Sequence, residues 1–296
     1  MAEPTGLIAK SGLELLTHGT PNGYKPTILL EELKAAYGLQ YTYQSIPIRK
    51  NIQKQPWFTS LNPNGRIPVL VDHDRPLQPP VFEGLAILSY LARHYDPDHL
   101  FSFAPATPEH AEVESWMAWQ HGGLGPMQGQ AEHFTVFARD VVPYGIYRYI
   151  AETERLYGIL DARLSSSSSP SNSSSFPSSS SSSPSSNSAS SPPSPSPPRD
   201  YIVGNKFTIA DICLLGWVNA ATITGLDLPA QFPHVFAWLR RCLDRPAVAS
   251  GFTIPERPTW TNEVVETDPG KWALVVERRE LIRRAKETFG YQYSSP

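Results

Sequence analysis

The chain has only two cysteines, Cys213 and Cys242, in 296 residues. Their spacing fits no metal-ligand pattern and no redox motif, which argues against a disulfide scaffold or a thiolate metal site. Charge of one sign is also missing: 25 Lys and Arg stand against 28 Asp and Glu, a net charge of −3. The basic excess of a nucleic-acid or membrane-surface protein is absent, so neither partner is expected. No apolar run reaches about 18 residues, so no transmembrane helix is expected. The start shows no basic stretch followed by an apolar core, and Tyr293-Ser-Ser-Pro296 matches no lipidation or retention signal. A cytoplasmic setting is expected from these absences. Charged residues make up only 18%, below the roughly 25% usual for soluble domains.

What is abundant is proline, with 30 residues, about twice the typical share. One tract, 165–198, made almost wholly of serine and proline, contributes to both anomalies. Without it about 260 residues remain, enough for a sizeable core. The length suggests one large domain or two small ones.

The first hundred residues alternate strand and helix signals. Leu13-Glu-Leu-Leu-Thr17 is a short apolar run that enters a turn-rich stretch, His18-Gly-Thr-Pro-Asn-Gly23. Pro26 suits the first turn of a helix over 27–37, and Gly38 suits its stop. Residues 41–46 alternate and are rich in β-formers, completing a β-α-β unit. A short helix near 56–61, a strand at 69–71, a partner strand at Val81-Phe82 and a helix over 83–94 follow. The order is β-α-β-α-β-β-α. From Pro108 onward the pattern is helical: one long segment broken at Gly122-Gly-Leu-Gly125, a helix over 144–164, a buried helix over 209–221, another over 233–243, and an amphipathic candidate over 272–288. Thr208-Ile-Ala-Asp211 fits a capping box with Asp in place of Glu or Gln. Asp211 therefore has a structural role, and its replacement by Ala should cost about 1 kcal/mol or more.

Five segments in this order carry a resemblance: Thr20-Pro-Asn-Gly23, Asn62-Pro-Asn-Gly-Arg-Ile-Pro68, Phe82-Glu-Gly-Leu-Ala-Ile87, Gly122-Gly-Leu-Gly-Pro-Met-Gln-Gly-Gln130 and Phe207-Thr-Ile-Ala-Asp211. The chain resembles the cytosolic glutathione S-transferases. Within them it is similar to the branch holding the fungal nitrogen-regulator-prion-like transferases and the bacterial nu-class enzymes. The resemblance covers about 13–164 and 199–250. It implies an α/β plus all-α fold: a thioredoxin-like glutathione-binding domain over 10–96, then a helical substrate-binding domain over 107–250. The tract 165–198 then falls inside the helical domain as a disordered surface loop, and 251–296 is a C-terminal extension beyond the family core. Glutathione as co-substrate, a small hydrophobic second substrate, a homodimer and no metal are implied.

The chemistry required is thiol activation, because a free thiol has a pKa near 8.5 and is only about 3% thiolate at pH 7. A helix start, with its free N–H groups and positive dipole end, favours an anion. The resemblance gives Asn22 the hydrogen bond to the glutathione sulfur, with the Thr20 hydroxyl as a second donor; by spacing alone Pro21-Asn22-Gly23 is a turn. It implies a cis-proline at Pro68, with the backbone of Ile67 pairing with the cysteinyl part of glutathione. Gln53 matches a position that holds the glycine end, while Arg66 reads as a surface charge. Glu83 and Gly84 sit where the family has Glu-Ser at a helix start, gripping the γ-glutamyl group. Gly84 keeps the backbone N–H but loses a hydroxyl bond worth roughly 1.5–3 kcal/mol.

The second-substrate pocket is expected from Tyr24, Trp119, Met127, Gln130, His133, Phe134 and Phe137. Gln130, His133, Phe134 and Phe137 share one face at i, i+3, i+4, i+7, a spacing that core packing uses as well. Tyr24 suits either substrate contact or packing at the helix start, and His133 either proton transfer or packing. Trp260, Trp272 and the 275–282 stretch are placed over the pocket mouth or across a dimer. Three glutathione-dependent activities fit: conjugation of a hydrophobic electrophile, with fungal secondary metabolism as one setting; reduction of small disulfides with two glutathiones; and isomerisation or elimination in which glutathione adds and leaves. A non-catalytic binding or regulatory protein is the alternative of a different class.

Overall fold

The computed structural model describes residues 3–75, 77–165 and 199–290. The expected tract 165–198 lies outside them apart from Ser165. The chain leaves and re-enters at one place, since Arg199 N–H donates to the Leu164 carbonyl at 2.9 Å.

Strand β1 (Leu13–Thr17) is fully buried and forms the centre of a four-stranded sheet. Helix α1 (Tyr24–Tyr37) crosses over to β2 (Tyr41–Ser45), which pairs with β1 in parallel. Such a crossover is what a parallel neighbour requires. A short helix α2 (Pro56–Thr59) precedes β3 (Val69–Asp72), which runs antiparallel to β1 and to β4 (Val81–Phe82). The sheet order is β2-β1-β3-β4. Alternation along β1 splits the core between two faces. Leu13 and Leu15 join Ile28, Leu29 and Leu33 of α1 and Ile87 and Leu91 of α3 (Gly84–Tyr95). Leu16 faces the other way, onto Ile46, Ile52, Phe58 and Val69.

The helical domain starts with α4 (Pro108–Trp119), capped by the Thr107 hydroxyl, which accepts from His110 N–H. The sequence pattern suggests a break at Gly122-Gly-Leu-Gly125. The structure has none. The helix runs on through a π turn (Gln120–Leu124), α5 (Gly125–Glu132) and a second π turn (His133–Phe137). Helix α6 (Pro143–Ser165) returns alongside α5. Helix α7 (Ile209–Val218) is buried at every position and packs against α1, α3 and α4. Its capping box forms as the spacing predicts, and Asp211 does more than cap. It accepts from Thr208 N–H, Ile202 N–H and the Trp238 indole N–H. Helices α8 (Leu228–Gln231), α9 (Pro233–Leu243) and α10 (Pro246–Gly251) follow.

The C-terminal extension is part of the helical body. Helix α11 (Asn262–Thr267) is tied to the end of α7: Asn262 N–H donates to the Asn219 carbonyl and its amide donates to the Val218 carbonyl. Helix α12 (Pro269–Phe289) buries Ile282 and Ala285 against Ile146 and Ile150 of α6 and Ala131 of α5. Among the described residues, no helix is long and apolar enough to cross a membrane.

Candidate functional site

The turn between β1 and α1 is held from several sides. Thr20 Oγ1 accepts from Gly23 N–H at 3.0 Å, the Thr20 carbonyl accepts from Tyr24 N–H, and Thr17 Oγ1 donates to the Gly23 carbonyl. Only glycine fits at 23, because a Cβ there would lie 1.9 Å from the His18 carbonyl oxygen. Below the turn runs α7. It comes so close at Gly216 that a Cβ would lie 2.4 Å from the Pro21 carbonyl oxygen. The next residue, Trp217, donates its indole N–H to Asn22 Oδ1 at 3.2 Å. An indole nitrogen is a donor only, so the atom it meets on Asn22 is the oxygen. The Asn22 amide nitrogen, a two-proton donor, is thereby turned away from Trp217.

Three hollows meet around this turn. The first, about 350 Å3, is lined by Thr20, Asn22, Gln53, Arg66 and Ile67 among others. The second, about 340 Å3, shares Asn22 and Trp217 with the first and adds Lys25, Gln120, His121 and Gln130. The third, about 430 Å3, shares Thr20, Pro21 and Ile48 with the first. Its walls include Tyr24, Glu132, Phe137, Ile223, Phe252 and Trp260.

The first hollow carries polar groups suited to a peptide-like ligand. Gln53 Nε2 donates to the Ile48 carbonyl at 3.1 Å, while its Oε1 is buried with no partner among the described residues. An orphaned buried acceptor is costly unless a ligand donor meets it. The Ile67–Pro68 peptide is cis. Ile67 lines the hollow.

Beside the second hollow, Glu83 precedes α3 at φ 70°, a conformation rare for a side-chain-bearing residue and found mainly where function demands it. Its carboxylate lies 3.3 Å from His121 Nε2. Gly84 opens α3, where the first-turn N–H groups have no helical partner. A Cβ at 84 would lie 3.1 Å from Lys25 Cδ and 4.0 Å from its Nζ. The missing serine side chain is therefore matched by a lysine that crosses the same space. Lys25 is 1% exposed, and its ammonium donates to Gln120 Oε1 at 2.7 Å. Burial lowers its pKa to about 8, partly offset by negative charge nearby, including Glu83.

The expected second-substrate residues divide. Tyr24 and Phe137 line the third hollow and Gln130 the second. Tyr24 is also a packing residue, its ring 5.1 Å from Phe252 and its hydroxyl donating to the Glu256 carbonyl. Trp119, Met127, His133 and Phe134 line none of the three hollows. Trp119 packs on Trp116 at 5.1 Å, Met127 packs against the main core, and Phe134 stacks on Tyr149 at 5.5 Å. His133 is exposed beside Phe134. The π turn at His133–Phe137 holds one more residue per turn than an α-helix, so Phe137 departs from the face counted from Gln130. Arg66 lines the first hollow, where the sequence suggests a surface charge. Trp260 forms a wall of the third hollow, so the extension borders it.

Three residues of the site escape the sequence reading. Lys25 falls just before the helix that Pro26 is read to open. Glu132 falls between the candidates Gln130 and His133. Trp217 sits within an otherwise apolar helix, where a buried indole N–H still needs an acceptor, which was the available signal. The cysteines contribute nothing to the site's surface. Cys213 and Cys242 are buried, and burial pushes the Cys213 thiol up to about 12 and that of Cys242 well above its usual range. Among the described residues, no three His, Cys, Asp or Glu side chains are grouped to hold a metal ion.

A thioredoxin-like sheet domain followed by a helical domain, with hollows around a helix-start turn and a cis-proline, is the architecture of the glutathione transferases. The chain belongs to the glutathione S-transferase family: residues 21–94 match its N-terminal domain and residues 196–246 its C-terminal domain. Within that family it falls in the branch of Ure2 and YfcG-type proteins. It is 36% identical over 240 residues to the disulfide-bond oxidoreductase YfcG of Escherichia coli, covering 79% of this chain and 92% of that one. Protein URE2 of Meyerozyma guilliermondii is 30% identical over 243 residues, 80% of this chain and 78% of that one. Among solved structures, a glutathione transferase homolog from Lodderomyces elongisporus, crystallised with two GSH per subunit, is 36% identical. It superposes with a TM-score of 0.67 over 83% of this chain and 99% of the other.

Proposed function

We propose that this chain is a glutathione transferase that activates the glutathione thiol at Asn22 and presents the thiolate to a hydrophobic electrophile. The observation that carries this reading is the Trp217–Asn22 hydrogen bond, which aims the amide N–H2 away from α7 at the junction of the first and second hollows. An amide donor and the start of α1 together favour the anionic sulfur. Thr20 Oγ1 already accepts from Gly23 N–H, which leaves its own proton free as a second donor. In this reading Gln53 Oε1 takes a donor from the glycine end, Ile67 pairs through its backbone, and the γ-glutamyl carboxylate meets the α3 start at Gly84 beside the Lys25 ammonium. The third hollow, with its aromatic walls, takes the electrophile. Catalysis comes from proximity and thiolate stabilisation.

A second reading is favoured by the buried thiols: reduction of a small disulfide by two glutathiones, with no protein cysteine taking part. The two adjoining hollows that share Asn22 give room for two thiol ligands. Calorimetric titration with glutathione, followed by parallel assays of a chlorinated arene and hydroxyethyl disulfide, separates the readings. Conjugation supports the first and disulfide reduction the second. Binding without turnover assigns the chain to the non-catalytic class, and absence of binding removes both enzymatic readings.

A further inference from the structure

Resting on the transferase reading above, we propose that Glu132 is a catalytic proton donor in the third hollow, serving the addition of glutathione to hydrophobic conjugated carbonyl compounds. Glu132 is the last residue of α5, immediately before the π turn, and it lines the hollow among Phe137, Ile223, Phe252 and Trp260. It is the one carboxylate among the residues that line this hollow, whose walls mix aromatic and polar side chains. Its Oε1 accepts from Gln128 Nε2 at 3.2 Å. Gln128 in turn accepts from the Tyr157 hydroxyl at 2.9 Å and donates to the Trp217 carbonyl at 2.9 Å. One network therefore joins Glu132 to Trp217, the residue that orients Asn22.

The charged and titratable groups around Glu132 come from every side. Arg278 of α12 lies behind the wall, its guanidinium donating to the Ile223 carbonyl. Tyr157 of α6 lies beyond Gln128, and His18, Arg49 and Tyr24 line the same hollow. Burial raises the Glu132 pKa to about 7, against the lowering effects of Gln128 and Arg278. A neighbouring thiolate disfavours the carboxylate further, as like charges do. The acid form is thus available at neutral pH, which suits a general acid.

Chemistry selects the substrate class. Displacing halide from an arene releases a stable anion and needs no proton. Addition to a conjugated carbonyl compound does. The sulfur lone pair forms the C–S bond at the β-carbon, the C=C pair moves toward the carbonyl to give an enolate, and Glu132 delivers its proton to the α-carbon. Glu132 is left as carboxylate and recovers a proton from solvent, which received the proton lost by the glutathione thiol. The hollow shares Thr20 and Pro21 with the first hollow, so it opens beside the turn that carries Asn22.

The test compares glutathione addition to an aryl butenone with substitution of a chlorinated dinitroarene, across pH, in the native chain and in Glu132→Gln. The glutamine keeps the acceptor for Gln128 but cannot donate an acidic proton. The addition kcat should fall about 100-fold, the substitution kcat by no more than about threefold. The native addition rate should decline as pH rises through about 7, and Glu132→Gln should lose that decline. Glu132→Asp should recover part of the addition rate. Equal losses in both reactions, no loss in either, or no decline above neutrality would overturn the proposal. Substitution without any addition by the native chain overturns it alone; glutathione binding with neither reaction removes the transferase reading along with it.

Discussion

Lys25→Met should make the protein more stable and a poorer binder of glutathione. In the unfolded chain this lysine keeps its proton up to the usual 10.5, whereas in the fold burial lets the proton go near 8. Between those values the unfolded state binds more protons, so stability rises with pH. Below 8 both states carry the charge, and the full penalty of burying it is present. The gap corresponds to about 3 kcal/mol at neutral pH. Methionine is of similar length and removes the charge. Its cost is an unpaired Gln120 Oε1, about 1 kcal/mol, so the net gain is about 2 kcal/mol. Urea unfolding over pH 7 to 11 measures it. The native chain should gain stability between 8 and 10.5, and the variant should not share that gain. Glutathione affinity should drop about tenfold as the cation beside Gly84 is lost. A variant less stable at pH 7, or a difference between the two proteins that stays flat with pH, would refute the reasoning.

Two substitutions at glycines probe the same geometry. Gly84→Ser restores the family side chain into space crossed by Lys25 Cδ, 3.1 Å away. It should lower stability by about 1 kcal/mol, read as a Tm decrease of about 2–4 °C, while isothermal titration shows glutathione bound about tenfold more tightly. Gly216→Ala drives a methyl group against the Pro21 carbonyl, 2.4 Å from where its Cβ would stand. It should displace the Asn22 turn and reduce kcat about 100-fold in steady-state assays, as misplacement by about 1 Å does.

Much of the fold is legible in the sequence because its signals are local. Turn residues, the alternation of β2 and the Thr208–Asp211 capping box each act within a few positions, and the sheet domain follows from their order. The site is only half legible. The turn around Asn22 and the Ile67–Pro68 peptide can be named from their motifs. The wall of the third hollow cannot, because helix periodicity assumes 3.6 residues per turn and the π turn breaks that count. Phe137 therefore reaches the hollow while His133 and Phe134, on the same nominal face, do not. The glycines at 122–125 read as a break for a similar reason: their helix is sustained by packing, with Gly123 against Leu156 and Gly125 against Gln120 and Trp217. Lys25 is hidden by its own type, since a lysine at a helix start normally reads as solvated. Only the arrival of α3 at Gly84 shows that it is buried.

The most direct measurement is a spectroscopic titration of the thiol of bound glutathione in the native chain and in Asn22→Ala. The bound thiol should ionise about two units below its usual value near 8.5 in the native chain and return most of the way toward that value in the variant. An unshifted thiol in the native chain, or the same shift in both proteins, would contradict the assignment of thiol activation to Asn22.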